Sequence, residues 1–127
     1  MSKTVTKASG AKLITINLDK QLYDYILEKP MVEPITDWQG NEQVVIGQKP
    51  LTARLACQRV LFNLLKDEEH LTGDQKMEIG ALGLRLARGG DIELTVNEIK
   101  ELRMRCRKAL FPQILVQIDP ILEEALK

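Results

Sequence analysis

The 127-residue sequence predicts a helix-dominated α+β domain in which an N-terminal strand and a β-hairpin pack on three to four helices. Three observations lead to this class. Strand-like alternation and turn signals lie before Gly47. After Gly47, Leu-rich stretches recur at helical spacing behind recognisable capping residues. Aromatic residues make up only 4% of the chain, so Leu, Ile and Val must fill the core, which favours packed helices.

The chain divides into a tail and one domain. Residues 1–10 are small and polar, rich in Lys, Ser and Thr, and predict a flexible N-terminal tail. Residues 11–127 predict a single domain, because this length is close to the commonest domain size and suffices to bury one core.

The first predicted strand is KLITINLD, residues 12–19. Its alternation places three apolar side chains on one face: Ile14, Ile16 and Leu18. The following residues, 19–34, suit either a short helix or a strand, and their conformation stays open. Pro30 and Pro34 exclude a long regular element through them.

A β-hairpin is predicted next. Two β-like runs, residues 35–38 and 43–46, flank Gly40 and Asn41, a pair that tolerates the positive φ of a tight turn. Trp38 lies near the hairpin tip, where it either contacts a partner or folds back onto the helices.

The first predicted helix spans residues 51–66 and carries a broad apolar face. The second begins at a capping box formed by Thr72 and Gln75 and ends at the glycine pair of residues 89–90. Each glycine inside a helix costs about 1 kcal/mol relative to Ala, so a close neighbour is expected at the two internal glycines of the second helix. These are Gly80 and Gly83.

The C-terminal third predicts two more helices after a short extended link at residues 91–94. A second capping box, Thr95 with Glu98, starts the third helix, which reaches Leu110. The dipeptide Phe111-Pro112 predicts a break before the fourth helix, and the dipeptide at residues 119–120 predicts a further interruption, with Asp119 capping a last short helix from Pro120.

The third helix contains KELRMRCRK, residues 100–108, with five cations in nine positions. Helical geometry places its apolar residues in one arc about 120° wide, which predicts a core face. This arc holds Val96, Ile99, Leu102, Cys106 and Leu110. Arg105 and Lys108 fall outside it and are predicted to be solvated, with Glu101 four residues before Arg105 as a counter-charge.

Arg103 lies inside the apolar arc, Arg107 at its rim and Lys100 just beyond. An unpaired cation there would be costly. Three interpretations stay open: the stems lie along Leu side chains with their heads in water, a carboxylate from elsewhere pairs with them, or they face a ligand.

A nucleic-acid role is the less favoured alternative. Arg85 and Arg88, with the turn before the third helix, loosely resemble a helix-turn-helix. Against it, the connection GGDIELT is longer than the usual turn of about 3–4 residues, and Asp91 and Glu93 would lie near phosphates. Eighteen Lys and Arg also balance eighteen Asp and Glu, so the chain as a whole does not attract polyanions.

Catalytic, cofactor and metal sites are not predicted. His70 has acidic neighbours but no adjoining nucleophile, and Cys57 and Cys106 lie beside core positions without signs of thiolate activation. The chain is therefore expected not to be an enzyme. With no secretory leader and no apolar run of about 18 residues, a cytoplasmic protein that does not enter membranes is expected.

Three segments, DWQGNEQVV, PLTARLACQRVLFNLL and LTGDQKMEIGALGLRLARGGDIELTVNEIKELR, together resemble small accessory proteins encoded by bacteriophages and prophages. The shared features are a hairpin with a D-x-x-G turn, a Leu-rich helix, a helix ending near Gly and a T-x-x-E-I helix start. The resemblance covers residues 35–105. It implies a phage setting, with expression in the host cytoplasm, and no catalytic residues.

The predicted function is a non-enzymatic interaction protein, a phage accessory or regulatory protein that binds another protein, itself or both. Self-association into a dimer or larger homo-oligomer is suggested by the apolar C-terminal segment, unless the sheet and first helix cover it. That segment contains Ile114, Leu115, Val116, Ile118, Ile121, Leu122 and Leu126. The alternatives are a nucleic-acid-binding regulator that uses residues 100–108 and a virion-assembly or chaperone-like protein. The candidate interaction residues are Arg103, Arg107, Lys100, Arg85, Arg88 and Trp38.

Overall fold

The structure, a computed structural model, describes residues 12–127, so the predicted tail at residues 1–10 lies outside the described part. The described residues form an α+β fold, which confirms the predicted class. Its elements in chain order are β1 (Leu13–Asn17), β2 (Tyr23–Asp24), β3 (Lys29–Pro30), β4 (Val32–Gln39), β5 (Glu42–Pro50), α1 (Ala53–Phe62), α2 (Gly73–Leu86), β6 (Asp91–Thr95), α3 (Val96–Ala109) and α4 (Pro112–Ala125).

Strand β1 pairs antiparallel with β6, from Leu13 opposite Thr95 to Asn17 opposite Asp91. The strand predicted in this region is confirmed, whereas the link expected at residues 91–94 is a paired strand. The apolar side chains of both strands alternate toward the helices, and Ile16 faces Ile92 within the core.

The helices bury one apolar core against the β1–β6 pair. Both predicted capping boxes are present, at Thr72 with Gln75 and at Thr95 with Glu98. Helix α1 is shorter than the predicted 51–66, because Asn63 is extended and its side chain donates to the carbonyl of Arg59 at 2.6 Å. The fully or nearly buried apolar residues are Ile16, Leu18, Leu22, Ala53, Ala56, Cys57, Val60, Leu61, Leu82, Leu86, Ile92, Leu94, Ile99, Leu102, Cys106, Ile118 and Leu122.

The glycines of α2 have different roles. A Cβ on Gly83 would lie 2.7 Å from Cε1 of Phe62, so the expected close neighbour is the ring that packs α1 against α2. The same expectation is wrong for Gly80, since among the described residues no atom outside its own stretch of helix lies within 4 Å of its Cβ position. Gly89 and Gly90 have φ of +69° and +64° and follow the end of α2, as predicted.

Helix α4 begins after the predicted break at Phe111-Pro112, but the second predicted break is wrong. The helix continues through Pro120 to Ala125. Pro120 removes one helical hydrogen bond, yet it is exposed, and the buried side chains of Ile118 and Leu122 on either side hold the helix on the core. Asp119 therefore lies within α4 and does not cap a separate helix.

The apolar C-terminal segment is largely covered by the chain's own core. Ile118 and Leu122 are completely buried, and most of the other apolar residues pack partly buried against the core. Val116 is 64% exposed. The intrachain alternative thus accounts for most of this segment, and it no longer indicates an oligomer.

Two glutamine side chains of α4 hold the segment that was open in the sequence. Gln117, itself buried, accepts from the Tyr23 amide at 2.8 Å and donates to the Tyr23 carbonyl at 2.8 Å. Gln113 accepts from the Tyr25 amide at 2.7 Å. Gln117 thus bonds to Tyr23 as a neighbouring strand would, and fixes the two-residue ladder of β2 and β3 on the helices.

Three backbone segments meet where the hairpin leaves the helices. The amide of Leu22 donates to the carbonyl of Leu51, Met31 donates to Leu22, and Leu51 donates to Met31, over 2.7 to 3.0 Å. Leu22 is completely buried. Pro34, expected to limit regular structure, instead lies inside β4, a position that a strand at the edge of a sheet tolerates.

Candidate interaction surface

The hairpin predicted around Gly40 is confirmed and is longer than expected. We call residues 32–50, which comprise β4, the turn and β5, the arm. Gly40 has φ of +66°, as the first central residue of a type II′ hairpin turn requires. A register shift after Ile35 leaves Ile46 without a ladder partner, which makes a bulge in the middle of β5.

Most residues of the arm are exposed to solvent, including much of its apolar content. Within the described chain, β4 and β5 form a sheet of two strands, so the outer edge of each is unpaired. A two-stranded ribbon of this kind is only marginally stable alone, and its open edges can accept another strand. The exposed large apolar residues are Val32, Ile35, Trp38, Val45 and Ile46.

Trp38 is the largest of these side chains. It lies one pair from the turn region, opposite Gln43, and is 65% exposed. Of the two interpretations from sequence, folding back onto the helices does not occur. An exposed Trp at the end of a projecting ribbon is typical of a residue that anchors a protein contact.

Charge is distributed unevenly along the arm. Asp37 and Glu42 lie near the tip, and residues 34–48 contain no Lys or Arg. At the base, one carboxylate, Glu33, faces two cations: Arg59 of α1 at 2.5 Å and Lys49 of β5 at 3.5 Å. The tip is therefore acidic, while the base carries one excess positive charge.

An apolar groove of about 290 Å³ adjoins the base of the arm. Arg59 lines the groove as well as the base, so the two are contiguous. Phe111 and Leu64, which are 77% and 50% exposed, are among its walls. The other apolar lining residues are Leu51, Ala56, Val60, Leu65, Ala109, Leu110 and Ile114.

The basic residues predicted on α3 pair mainly with carboxylates. Arg103 and Arg107 both bond to Asp119 of α4, with Nε to Oδ1 distances of 2.9 and 3.0 Å and Nη2 to Oδ2 distances of 3.0 and 2.9 Å. Glu123 lies 3.5 Å from Arg103 as a second acceptor. Of the three interpretations of these arginines, pairing with a carboxylate from another part of the fold is the one observed.

The other candidate cations do not join them in one site. Arg85 forms a bidentate pair with Glu98 at the start of α3 and also donates to the Glu93 carbonyl at 2.7 Å. Burial raises the pKa of Glu98, but the hydrogen bonds that this carboxylate accepts from Arg85 and Thr95 outweigh it, so the pKa is lowered. Lys100 and Arg88 are exposed.

Arg105, predicted to be solvated, is completely buried, so that prediction is wrong. Its guanidinium makes a bidentate pair with Glu68, which also accepts from the Leu65 amide at 2.9 Å. Burial disfavours the charge, but the hydrogen bonds from Arg105 lower the pKa of Glu68. The loop after α1 covers this side of α3, and Nε of Arg105 finds no acceptor among residues 12–127.

Comparison with protein-family models, with curated proteins and with solved structures finds no match. The resemblance to phage accessory proteins therefore stays a prediction.

The two cysteines form a contact in the core. Their Sγ atoms, in α1 and α3, lie 3.9 Å apart, and both residues are completely buried. The hydrogen bond to Cys106, together with burial, raises the pKa of Cys57 well above its usual value, so Cys57 packs as a neutral thiol without the thiolate activation that the sequence also did not predict. His70 is exposed in the loop between α1 and α2.

Two kinds of feature are absent from residues 12–127. Groups of three or more side chains that could hold a metal ion are absent from these residues. Their helices include none with the combined length and hydropathy to cross a bilayer.

The shared carboxylate of Asp119 predicts a pH dependence. Hydrogen bonds from Arg107 and Arg103 hold the pKa of Asp119 below its usual range, so the folded chain binds that proton less readily than the unfolded chain. The stabilisation is complete above about pH 4, the ordinary pKa of Asp, and is lost as the pH falls through the lower folded-state value. We expect Asp119→Asn to lower the free energy of unfolding at pH 7, with a difference from wild type that narrows below about pH 4.

Urea denaturation of both proteins between pH 7 and pH 2 measures this difference. Glu124→Gln, which removes an exposed carboxylate of the same helix, is the matched control and should change the free energy of unfolding only slightly. A difference between wild type and Asp119→Asn that stays constant down to pH 2 would contradict the assignment.

Proposed function

We propose that this chain is a non-enzymatic interaction protein that binds another protein molecule through the arm. The observation that carries the proposal is the exposure of the apolar residues of the arm, with Trp38 at its end. Apolar side chains on an isolated ribbon stay in contact with water unless a partner covers them, and such patches are typical of interaction sites.

The charges of the arm favour a protein over a nucleic acid. A β-ribbon that enters a DNA groove needs cations for the phosphates, whereas Asp37 and Glu42 make this tip acidic. On the helices, Arg85, Arg103 and Arg107 each bond to a carboxylate. A phosphate would have to compete with these intramolecular pairs, which weighs against the nucleic-acid-binding alternative.

The arm also suggests how a partner is bound. The unpaired edges of β4 and β5 can add a strand through main-chain hydrogen bonds, while Trp38 and Val45 supply side-chain contact. The phage setting, the cytoplasmic location and self-association belong to the same proposal. A role in virion assembly would use the same surface, with a structural protein as its partner.

A photocrosslinking group in place of Trp38 tests the proposal in the cells that express the chain. We expect a protein adduct at this position. The matched control carries the same group at Met77, which is 74% exposed on α2, away from the arm in sequence. The adduct at position 77 should be much weaker than the adduct at position 38. Treatment with nuclease should leave the adduct at position 38 intact.

Two results would contradict the proposal. One is the absence of any protein adduct at position 38 above the level at position 77. The other is an adduct that nuclease removes, which would support the nucleic-acid-binding regulator instead.

A further inference from the structure

We infer that the arm binds a second copy of this chain, with two arms side by side and antiparallel about a two-fold axis, so that each tip lies against the other copy's base. This inference rests on the proposed function, since it specifies the partner of the same surface. Two features of the arm support a second copy as the partner: its uneven charge and the groove beside its base.

Charge complementarity selects the antiparallel arrangement. The tip carries the carboxylates of Asp37 and Glu42, and residues 34–48 around them contain no Lys or Arg. At the base, Lys49 and Arg59 both face the carboxylate of Glu33. Antiparallel arms bring each acidic tip to a base with excess positive charge. Parallel arms would instead place four tip carboxylates together, and like charges at an interface are strongly unfavourable.

Shape complementarity points to the same contact. The groove beside the base has about 290 Å³ and is lined mainly by Leu, Val, Ile and Phe side chains, while the exposed Trp38 lies in the tip. A pocket with apolar walls suits an indole ring, and Trp is one of the residues enriched among the anchors of protein interfaces. Arg59 lines the groove and belongs to the base, so the apolar walls that would receive the ring adjoin the cations that would attract the acidic tip.

In a two-fold symmetric complex, the contact between a tip and the other copy's base occurs twice. In a two-fold dimer, a projection on one copy fills a hollow on the other, and the reverse holds by symmetry. Trp38 lies six residues from Val32, which is about 20 Å along an extended strand. The hollow must therefore lie near the start of the arm, which is where the groove is found.

Two variants, each of which reverses the net charge of one region, test the pairing of tip with base. The tip variant carries Asp37→Lys and Glu42→Lys, and the base variant carries Lys49→Glu and Arg59→Gln. We expect wild type to sediment at twice the monomer mass of 14.4 kDa, and each variant alone to dimerise at least about tenfold more weakly, because both of its symmetric contacts become repulsive.

The mixture of the two variants is the decisive sample. In a mixed dimer, the lysines of one tip meet the glutamate-bearing base of the other copy, and the remaining tip and base are wild type. We therefore expect the mixture to recover the dimer, which unfolded variants could not do. Far-ultraviolet circular dichroism of each variant confirms that it is folded.

The inference is overturned if wild type stays at the monomer mass at high concentration, if either variant dimerises as strongly as wild type, or if the mixture fails to recover the dimer. The proposed function fails separately. A monomeric wild type that gives an adduct with a different protein at position 38 would overturn the second copy as partner and leave the arm as the contact surface.

Discussion

Glu68→Ala is expected to lower the free energy of unfolding by about 3–5 kcal/mol, the usual cost of removing one partner of a buried ion pair. Arg105 is completely buried and bonds to Glu68 through two nitrogens, so the substitution leaves a guanidinium in the core with little compensation. The remaining partners are weak: Glu101 lies at 3.5 Å and the Asn63 carbonyl at 3.3 Å. Urea denaturation at pH 7, followed by circular dichroism, measures the effect.

Two further variants separate the ion pair from its surroundings. Glu69→Ala, at the exposed neighbouring position, should change the free energy of unfolding by less than about 0.5 kcal/mol. The double variant Glu68→Leu with Arg105→Met should recover most of the lost stability, because an apolar replacement of both partners removes the buried charge. A cost for Glu68→Ala below about 1 kcal/mol would show that Arg105 reaches water.

Gln117→Leu is expected to lower the free energy of unfolding by about 2–4 kcal/mol. Leucine has a similar size but leaves both the amide and the carbonyl of Tyr23 without their side-chain partner, and each unsatisfied buried group costs about 1–3 kcal/mol. Because Gln117 is buried, water cannot readily replace it. Thermal and urea denaturation measure the loss.

Gln113→Leu is the matched control for this prediction. Gln113 lies one turn earlier on α4 and bonds only to the Tyr25 amide among these backbone groups, at an exposed position. Water can take over that bond, so the cost should be about 0.5–1 kcal/mol. Equal costs for the two variants would argue against Gln117 as the main attachment of the segment that precedes the arm.

The features that the sequence predicted well are those that depend on neighbouring residues. The capping boxes at Thr72 and Thr95 need only a side chain and a backbone amide three residues away. The hairpin turn at Gly40 is likewise a matter of local backbone conformation. Periodicity also identified the buried positions Ile99 and Leu102 of α3, because the apolar arc of a helix faces its main neighbour.

The errors concern contacts between distant parts of the chain. Helical spacing places Arg105 outside the apolar arc, but α3 also has a neighbour on that side: the loop after α1, which brings Glu68. At Pro120, intrinsic helix propensity predicted a break, whereas burial of the residues beside it keeps α4 continuous. Neither the loop position nor the packing of α4 leaves a periodic signal in the sequence.

The candidate interaction surface was predicted in part. Trp38 was recognised as a possible contact, while Lys49 and Arg59 were not, because their grouping around Glu33 depends on the ladder register and on the position of α1. The acidic tip was visible in the sequence as a stretch without Lys or Arg. It indicates how two arms could pair only in combination with the positive charge at the base, which the structure reveals.

The pairing of β1 with β6 has a consequence for how the chain acquires its structure. Asn17 bonds across to Asp91, 74 residues later, so the first strand has no ladder partner until most of the polypeptide exists. The arm closes through contacts within 19 residues of one another and can form much earlier. During synthesis, the apolar side chains of the arm are thus expected to be exposed to solvent before the core has folded. Early contacts between nascent chains would therefore involve the arm first.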